Sequence, residues 1–412
     1  MTFFPVGKEH DMVDKPLILV INCGSSSLKF ALLAAGEREP MLSGLAENLG
    51  QPESRLTVKQ NGGKTQRPLA NSGDHHVALG TLIEILKEQN LLGSVAAVGH
   101  RVIHGGEQFT ETTLITDEVL AEIEKCNHRA PLHNPPNVLG IKIGREELPN
   151  VPHAAAFDTS FHVKSMAPEA YFYAIPMEFY EKYGIRRYGY HGTSHRFISM
   201  EAVKVLGLDP NDHGIVIAHL GNGCSATAVH NGRSVDTSMG MSPLEGLVMG
   251  TRSGDIDPAA VLYIGREDKM SVDQLDNLLN RKSGLLGLSG ISNDCRTLEA
   301  AAAKGDERAI LALDVFVHRL ARYVGALAMS LPRLDALVFT GGIGENSVLM
   351  RKKTIARLAP LGLTLDEAAN QRMVGGEGGV ISSSKSPIAA VIGTNEEWLI
   401  AKDTAELAGV VA

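Results

Sequence analysis

Two apolar runs separated by a short cluster of small polar residues constrain this chain more than any other feature. The segment Leu17 to Leu33 reads LILVINCGSSSLKFALL. Its first run, Leu17 to Ile21, meets a turn cluster, Asn22 to Ser27, and the second run begins at Leu28. The pattern predicts strand, tight phosphate-sized turn, strand. Gly24 lets the backbone turn and come close to a ligand. Ser25, Ser26 and Ser27 offer hydroxyl and backbone donors, Lys29 adds a positive charge, and Asn22 offers an oxygen that suits a hard cation. This is the chemistry of a loop that holds magnesium-bound phosphate. The plainer reading is a serine-rich hairpin turn, and two more phosphate-type loops downstream weigh against it.

At 412 residues the chain exceeds a single core, so two domains are expected. The net charge of −8 leaves no basic surplus for neutralising phosphates, which argues against nucleic acid as a partner. No stretch approaches the ~20 apolar residues needed to span a bilayer, so no membrane partner is expected. Cys23, Cys126, Cys224 and Cys295 are scattered, with no CxxC pair, which disfavours zinc and disulfides and fits a reducing cytoplasm. Cys23 and Cys224 fall inside proposed phosphate loops, where small-residue packing is a better reading than nucleophilic chemistry. The first sixteen residues lack a signal-peptide core and read as a loose extension.

Along the chain, strands and helices alternate. Residues 75–90 have apolar positions at helical spacing, Val95 to Val102 reads as a strand, and Thr116 to Cys126 as an amphipathic helix with Asp117 and Glu118 in its first turn. Val151 to Phe157 is a strand ending at Asp158. The theme then repeats. Gly214 to Ala218 is a strand, His219 to Ser225 a glycine-rich turn, and Ala226 to His230 the return strand, followed by the Asn231-Gly232 hairpin turn. This is a duplicated core with weak internal similarity. Glu307 to Leu331 reads as a long helix, apolar on most faces and hence buried. Asp335 to Phe339 is a strand entering TGGIGEN (Thr340–Asn346), a third glycine-rich turn ahead of a helix. Ile388 to Ile392 is the last strand and Glu396 to Leu407 the last helix.

The strings NCGSSSLKF (Asn22–Phe30), APLHNP (Ala130–Pro135), AFDTSFH (Ala156–His162), RYGYHGTSH (Arg187–His195), HLGNG (His219–Gly223), DTSMGMSPLEG (Asp236–Gly246), GTRSGDIDP (Gly250–Pro258), TGGIGEN and GTNEE (Gly393–Glu397) together resemble the acetate kinase family. They occur in family order over nearly the whole chain. The resemblance implies an α/β, duplicated actin-like ATPase fold shared with sugar kinases and heat-shock ATPases, with two lobes around an ATP cleft. The expected lobes are residues 1–160 with 398–412, and 161–397. It also implies Mg²⁺-dependent (Mn²⁺ as a substitute) transfer of the ATP γ-phosphate to acetate, giving acetyl phosphate and ADP, and a homodimer formed through the second lobe.

Residue roles follow from the same resemblance. Arg101 and Arg252 match the family's substrate and transition-state arginines, and arginine suits planar anions better than lysine does. His191 matches the donor to the γ-phosphoryl oxygens. Val102 and Leu132 match the acetate pocket, whose neighbourhood includes His133. Asp158 matches the catalytic carboxylate. Acetic acid titrates near the side-chain carboxyl range, so the acceptor is already an anion at neutral pH. Asp158 is therefore expected to orient an arginine or metal-bound water and not to act as a base. Asn22 and Glu396 match the metal positions. Lys29, with Ser25 and Ser27, and His219, Leu220, Gly221, Asn222 and Gly223 match the phosphate-cradling loops. Asp294, Cys295 and Arg296 flank the adenosine, and Gly342, Ile343, Gly344, Glu345 and Asn346 pass beneath it.

Other readings are weaker. His191 and His195 stand four apart, as metal ligands on a helix would, but the intervening Gly-Thr predicts a turn and phosphoryl transfer calls for oxygen-bound Mg²⁺. GGKT (Gly62–Thr65) fails as a Walker A loop because Val58 occupies the required glycine position. A propionate or butyrate kinase is the nearest competitor, since one methylene shifts preference by only ~1–3 kcal/mol. An actin-like filament subunit would have no use for two arginines placed for a carboxylate.

Overall fold

The structure, a computed structural model, describes residues 15–411, and the expected N-terminal extension lies largely outside the described residues. The chain forms two compact units. One runs to Ser160 and includes the chain from Asn395 onward, and the other is Phe161–Thr394. Residues 395–397, expected in the second lobe, thus belong to the first unit.

The first unit carries an eight-stranded sheet: β1 (Leu17–Cys23), β2 (Ser27–Ala34), β3 (Leu42–Glu47), β4 (Arg55–Gln60), β5 (Gly63–Pro68), β6 (Val95–Val102), β7 (Thr113–Leu114) and β8 (His153–Phe157), in the order β5-β4-β3-β2-β1-β6-β8-β7. The second carries a six-stranded sheet: β9 (Gly214–Leu220), β10 (Cys224–His230), β11 (Arg233–Thr237), β12 (Ala336–Thr340), β13 (Gly379–Val380) and β14 (Ile388–Val391), in the order β11-β10-β9-β12-β14-β13. The duplication is plain in this topology. An antiparallel meander (β3-β2-β1 or β11-β10-β9) leads into three parallel strands (β1, β6, β8 or β9, β12, β14) closed by a short antiparallel edge.

The central strands read as continuous apolar runs because both faces are covered. On one face of β1, Leu17, Leu19 and Ile21 pack with Leu79, Leu82 and Leu86 of helix His75–Glu88. On the other, Ile18 and Val20 join Ile400, Ala401 and Ala405 of helix Glu396–Leu407. That helix lies close to β6, since a Cβ on Gly99 would come within 2.5 Å of Thr404 Oγ1 and 2.7 Å of Ile400 Cγ2. The glycine thus permits the close approach of the middle of this helix, at Ile400 and Thr404, to the sheet. Helix starts carry the expected oxygen caps: Asp74 accepts from the Val77 N–H, Thr116 from Val119 and Asn395 from Trp398.

Four expectations need correction. The second phosphate turn is only Gly221–Gly223, because His219 and Leu220 complete β9 and Cys224 and Ser225 open β10, each paired across the hairpin. TGGIGEN is itself a helix, Gly341–Asn346, whose start is stabilised by Glu345 Oε1 accepting from the Gly341 N–H at 2.9 Å. His191-Gly-Thr is no turn between two ligands but the start of helix Gly192–Leu206, with His191 as its N-terminal flanking residue in the left-handed region (φ 56°). Helix Glu307–Ala328 is buried along one stripe only, Ala309, Leu313, Phe316, Val317, Leu320, Val324 and Leu327, while Leu311 is 55% exposed. Among the described residues no helix is long and apolar enough to cross a membrane.

One fully buried cation secures the second unit. Arg351 donates to the carbonyls of Gly344 and Glu345, ending helix Gly341–Asn346, to the carbonyls of Asn370 and Met373, and to Asn370 Oδ1, all at 2.8–2.9 Å. Burial lowers its pKa to about 10, so it stays charged at neutral pH. Arg351→Met leaves these carbonyls without a donor and is expected to cost about 3–5 kcal/mol, read as a lowered melting transition of Phe161–Thr394 in calorimetry.

Buried histidines make both units acid-sensitive. Burial depresses His104 to about 3 and His162 to about 4, and pushes His100 and His195 well below the usual range. Between the unfolded value, about 6.5, and these folded values, the unfolded chain binds more protons. Stability is therefore intact above about pH 6.5 and falls with acidification, by about 1.4 kcal/mol per pH unit for each histidine. Calorimetry across that range should show both transitions moving down together as the pH drops towards 4.

Candidate active site

In the first unit, the carboxyl ends of the parallel strands gather charged groups. Ile21 of β1 registers with His100 of β6, and Arg101 of β6 with Ala156 of β8. Asn22, Arg101 and Asp158 therefore sit at neighbouring strand ends. Arg101 makes a two-point bond to Asp158, Nε to Oδ1 at 3.0 Å and Nη2 to Oδ2 at 2.6 Å, and its Nε lies 3.7 Å from Glu396 Oε2. Lys29, the cross-strand partner of Asn22, pairs with Glu397. Burial would suppress the charge on Arg101, but Asp158 and Glu396 outweigh it and raise its pKa. Burial, with Glu397 nearby, raises the pKa of Glu396 despite Arg101. Burial also opposes ionisation of Glu397, yet Lys29 holds it below the ordinary range.

Asp158, Glu396 and Glu397 face the two cations Arg101 and Lys29. Burial disfavours the ionised form of both glutamates, but Lys29 offsets it for Glu397, so Glu396 is the surplus carboxylate whose pKa stays raised, which is where an added cation would be stabilising. A carboxylate and an amide oxygen with waters suit Mg²⁺. No cluster of three or more His, Cys, Asp or Glu side chains is arranged for a metal among the described residues.

Two asparagines that sequence reasoning missed hold this end of the sheet. Asn134 Oδ1 accepts from the His104 N–H at 2.9 Å and its Nδ2 donates to the His104 carbonyl. Asn137 Oδ1 accepts from the Ile103 N–H, and its Nδ2 donates to the Cys23 carbonyl at 2.6 Å. Both begin helix Asn134–Glu147, whose Pro135 and Pro136 at the first turn were the available signal. Val102 is fully buried with Phe109, Val138 and Phe157, whereas Leu132 is 41% exposed on the loop before that helix. The two acetate-pocket candidates thus occupy different environments.

In the second unit the Gly221–Gly223 turn is the focus. The Gly221 N–H bonds to the Gly223 carbonyl at 3.0 Å, and the Gly250 N–H to the Asn222 carbonyl at 2.8 Å. A Cβ on Gly250 would fall 2.0 Å from Asn222 Oδ1, so only glycine permits this approach. Asn222 Oδ1 also accepts from Asn293 Nδ2, which brings the residues just before Asp294 to the turn. A Cβ on Gly223 would lie 3.4 Å from both Arg252 Nη1 and His191 Nε2, which puts the guanidinium and the imidazole over the same point of the turn. Arg252 Nη1 donates to the Pro243 carbonyl at 3.3 Å. Among the described residues it forms no ion pair, and burial lowers its pKa. It is a partly buried cation with no counter-ion among the described residues.

The histidines beside it form hydrogen-bonded chains. His191 Nδ1 and His195 Nε2 lie 2.9 and 2.7 Å from Ser225 Oγ. His219 Nδ1 lies 2.8 Å from Ser194 Oγ, which is 2.9 Å from Thr394 Oγ1. The His191 and His219 rings are 4.4 Å apart. Ser194 and Thr394 fall inside the strings RYGYHGTSH and GTNEE, and Ser225 closes the HLGNGCS segment, but only the packing reveals which histidines they meet.

The remaining nucleotide candidates divide. Asp294 caps helix Cys295–Ala302 and makes a two-point pair with the highly exposed Arg296. Cys295 turns inward, its Sγ 3.5 Å from Glu299 Oε1, and burial raises its pKa, as it does for Cys23 and Cys224, both pushed up to about 12. None of these thiols is a neutral-pH nucleophile. Gly342 is exposed, with open space where a Cβ would stand, beside the partly buried Ile343, while Gly344 is buried. The Glu345 carboxylate is taken up by Gly341, Thr340 and Thr394, and Asn346 Oδ1 accepts from the Gly375 N–H. Glu345 and Asn346 therefore hold the glycine helix in shape.

Residues 17–402 match the model of the Acetokinase family. The chain is 53% identical over 393 residues to the acetate kinase of Chromobacterium violaceum, covering 95% of this chain and 98% of that protein. It is 53% identical over 399 residues to acetate kinase 1 of Neisseria meningitidis serogroup A, covering 97% and 100%. Among solved structures, a propionate kinase from Francisella tularensis superposes with a TM-score of 0.91 at 44% identity, over 95% of this chain and 100% of that one. Porphyromonas gingivalis acetate kinase gives 0.90 at 40% identity, over 95% and 99%. Near-complete coverage at this identity, with the same fold, shows that the chain belongs to the acetokinase family.

Proposed function

We propose that the protein is an acetate kinase that transfers the γ-phosphoryl group of ATP reversibly to acetate, giving acetyl phosphate and ADP by direct in-line displacement. The observation that carries this reading is Arg252, a partly buried guanidinium over the Gly221–Gly223 turn, beside His191 and without a carboxylate partner among the described residues. Such a cation is poised for an anion arriving from outside the protein. Arg252 and His191 neutralise charge on the transferring phosphoryl oxygens. Gly221 to Gly223 cradle the phosphates, and the exposed Gly342 leaves room for the nucleoside.

Arg101 binds the acceptor carboxylate. The acceptor is already ionised at neutral pH, and the two-point bond from Arg101 to Asp158 supports a role for Asp158 in orienting that guanidinium. Asn22 and Glu396 would hold Mg²⁺, which supplies charge neutralisation of the nucleotide phosphates when bound. We also propose a homodimer, consistent with the exposed Leu262, Tyr263 and Val272 of the second unit.

A hydroxamate assay of acyl phosphate formation tests the activity. Acetate should give the highest kcat/KM among acetate, propionate and butyrate. Because a relative with this fold is a propionate kinase, a preference for propionate would reassign the acceptor within the same family. Arg252→Ala should lower kcat by about 10²–10³-fold. Light scattering on the same preparation should give twice the monomer mass.

Asp158→Asn separates orientation from base catalysis. If Asp158 orients Arg101, kcat/KM for acetate should fall by about 10²-fold while the shape of the pH–rate profile persists. Loss of the acidic limb in the variant would instead identify Asp158 as the base.

A further inference from the structure

Ser225 lies in β10, directly across from His219 of β9, and is fully buried. Its hydroxyl touches two imidazoles, His191 Nδ1 at 2.9 Å and His195 Nε2 at 2.7 Å, and makes no other hydrogen bond among the described residues. A hydroxyl donates one proton and accepts up to two, so three proton arrangements satisfy both contacts.

In the first, His195 Nε2–H donates to Ser225 Oγ and the serine O–H donates to His191 Nδ1. The second reverses this direction and puts the His195 proton on Nδ1. In the third both rings donate to the serine, whose own proton then has no acceptor. His195 Nδ1 is buried with no hydrogen-bond partner among the described residues. The second arrangement therefore strands a buried N–H, and the third strands a buried O–H. Orphaned buried donors are rare and costly. The first arrangement leaves neither.

We infer that Ser225 is a positioning residue that, anchored by His195, fixes His191 as the Nε2–H tautomer and so presents a hydrogen-bond donor towards the Gly223 turn. The Nε2 atom is the one lying 3.4 Å from the Cβ position of Gly223, the point it shares with Arg252. Burial, with His162 and His219 nearby, keeps His195 neutral, so it carries the single proton this scheme requires. Fixing the tautomer in advance removes the need to reorganise the donor when negative charge develops on the phosphoryl group. The kinetic consequence rests on the acetate kinase reading. The tautomer itself does not.

Long-range ¹H–¹⁵N correlation on ¹⁵N-histidine-labelled full-length protein without substrates reads it directly, with signals assigned from His191→Gln and His195→Gln. Both rings should show a protonated Nε2 and an unprotonated Nδ1 near neutral pH. In Ser225→Ala, His191 should shift to a mixture of tautomers, kcat should fall by about 10–100-fold, and KM for ATP should stay within about threefold. Ser225→Thr, which keeps a hydroxyl, should restore the Nε2–H form. A wild-type His191 or His195 protonated at Nδ1 would overturn the inference, as would an unchanged His191 tautomer in Ser225→Ala. If Ser225→Ala does not fold, the wild-type tautomers decide. Absence of acyl phosphate formation would sink the proposed activity and leave the tautomer result standing.

Discussion

Parallel pairing of three strands in each unit is the constraint on which the candidate site depends. Parallel strands end on the same side, so whatever follows each strand is brought to one edge regardless of its distance in sequence. In the first unit this edge collects Asn22, Arg101 and Asp158. In the second it collects His219, Thr340 and the segment after Val391, with Thr394 reaching Ser194 and Glu345. The hairpin on the first parallel strand of each unit adds a small-residue turn at that edge, Gly24–Ser26 in one and Gly221–Gly223 in the other.

Side-chain amides and carboxylates then tie the loops beyond the strands to the framework. Asn134, Asn137 and Glu345 each satisfy backbone N–H groups that a strand or helix end would leave unpaired. Arg351 does the converse for carbonyls at the end of the glycine helix. With these loops held by buried hydrogen bonds, the cations are placed before any ligand arrives, which suits a reaction whose catalysis is mainly positioning and charge neutralisation. The two arginines differ in how they are held: Arg101 has Asp158 as a partner, while Arg252 is held mainly by backbone contacts near Met249 and Pro243.

Much of this was legible in the residues. Leu17–Cys23, Val95–Val102 and Glu396–Leu407 announce themselves through apolar periodicity and capping residues, and the repeated strand–turn–strand theme foretold the duplicated topology. Boundaries failed where glycines suggested a turn but local hydrogen bonds were decided by distant groups. Gly341–Asn346 is helical because Glu345 and Arg351 satisfy its two ends. The turn at Gly221 is short because His219 and Ser225 complete a ladder pair. The Gly-Thr after His191 misled for a similar reason: His191 itself takes the left-handed conformation, and the helix begins immediately after it.

By itself, the sequence determined the alternation of strands and helices, the two small-residue hairpins, the family, and which arginines and histidines deserve attention, because these depend on local pattern and residue chemistry. Tertiary structure alone decided which partner each of those groups meets. That Asp158 grips Arg101, that Arg252 lacks a carboxylate among the described residues, and that one serine hydroxyl bridges His191 and His195 are consequences of strand register and helix packing. Protonation and orientation are set by such contacts within a few ångströms, and residues that far apart in sequence carry no local signal of their meeting.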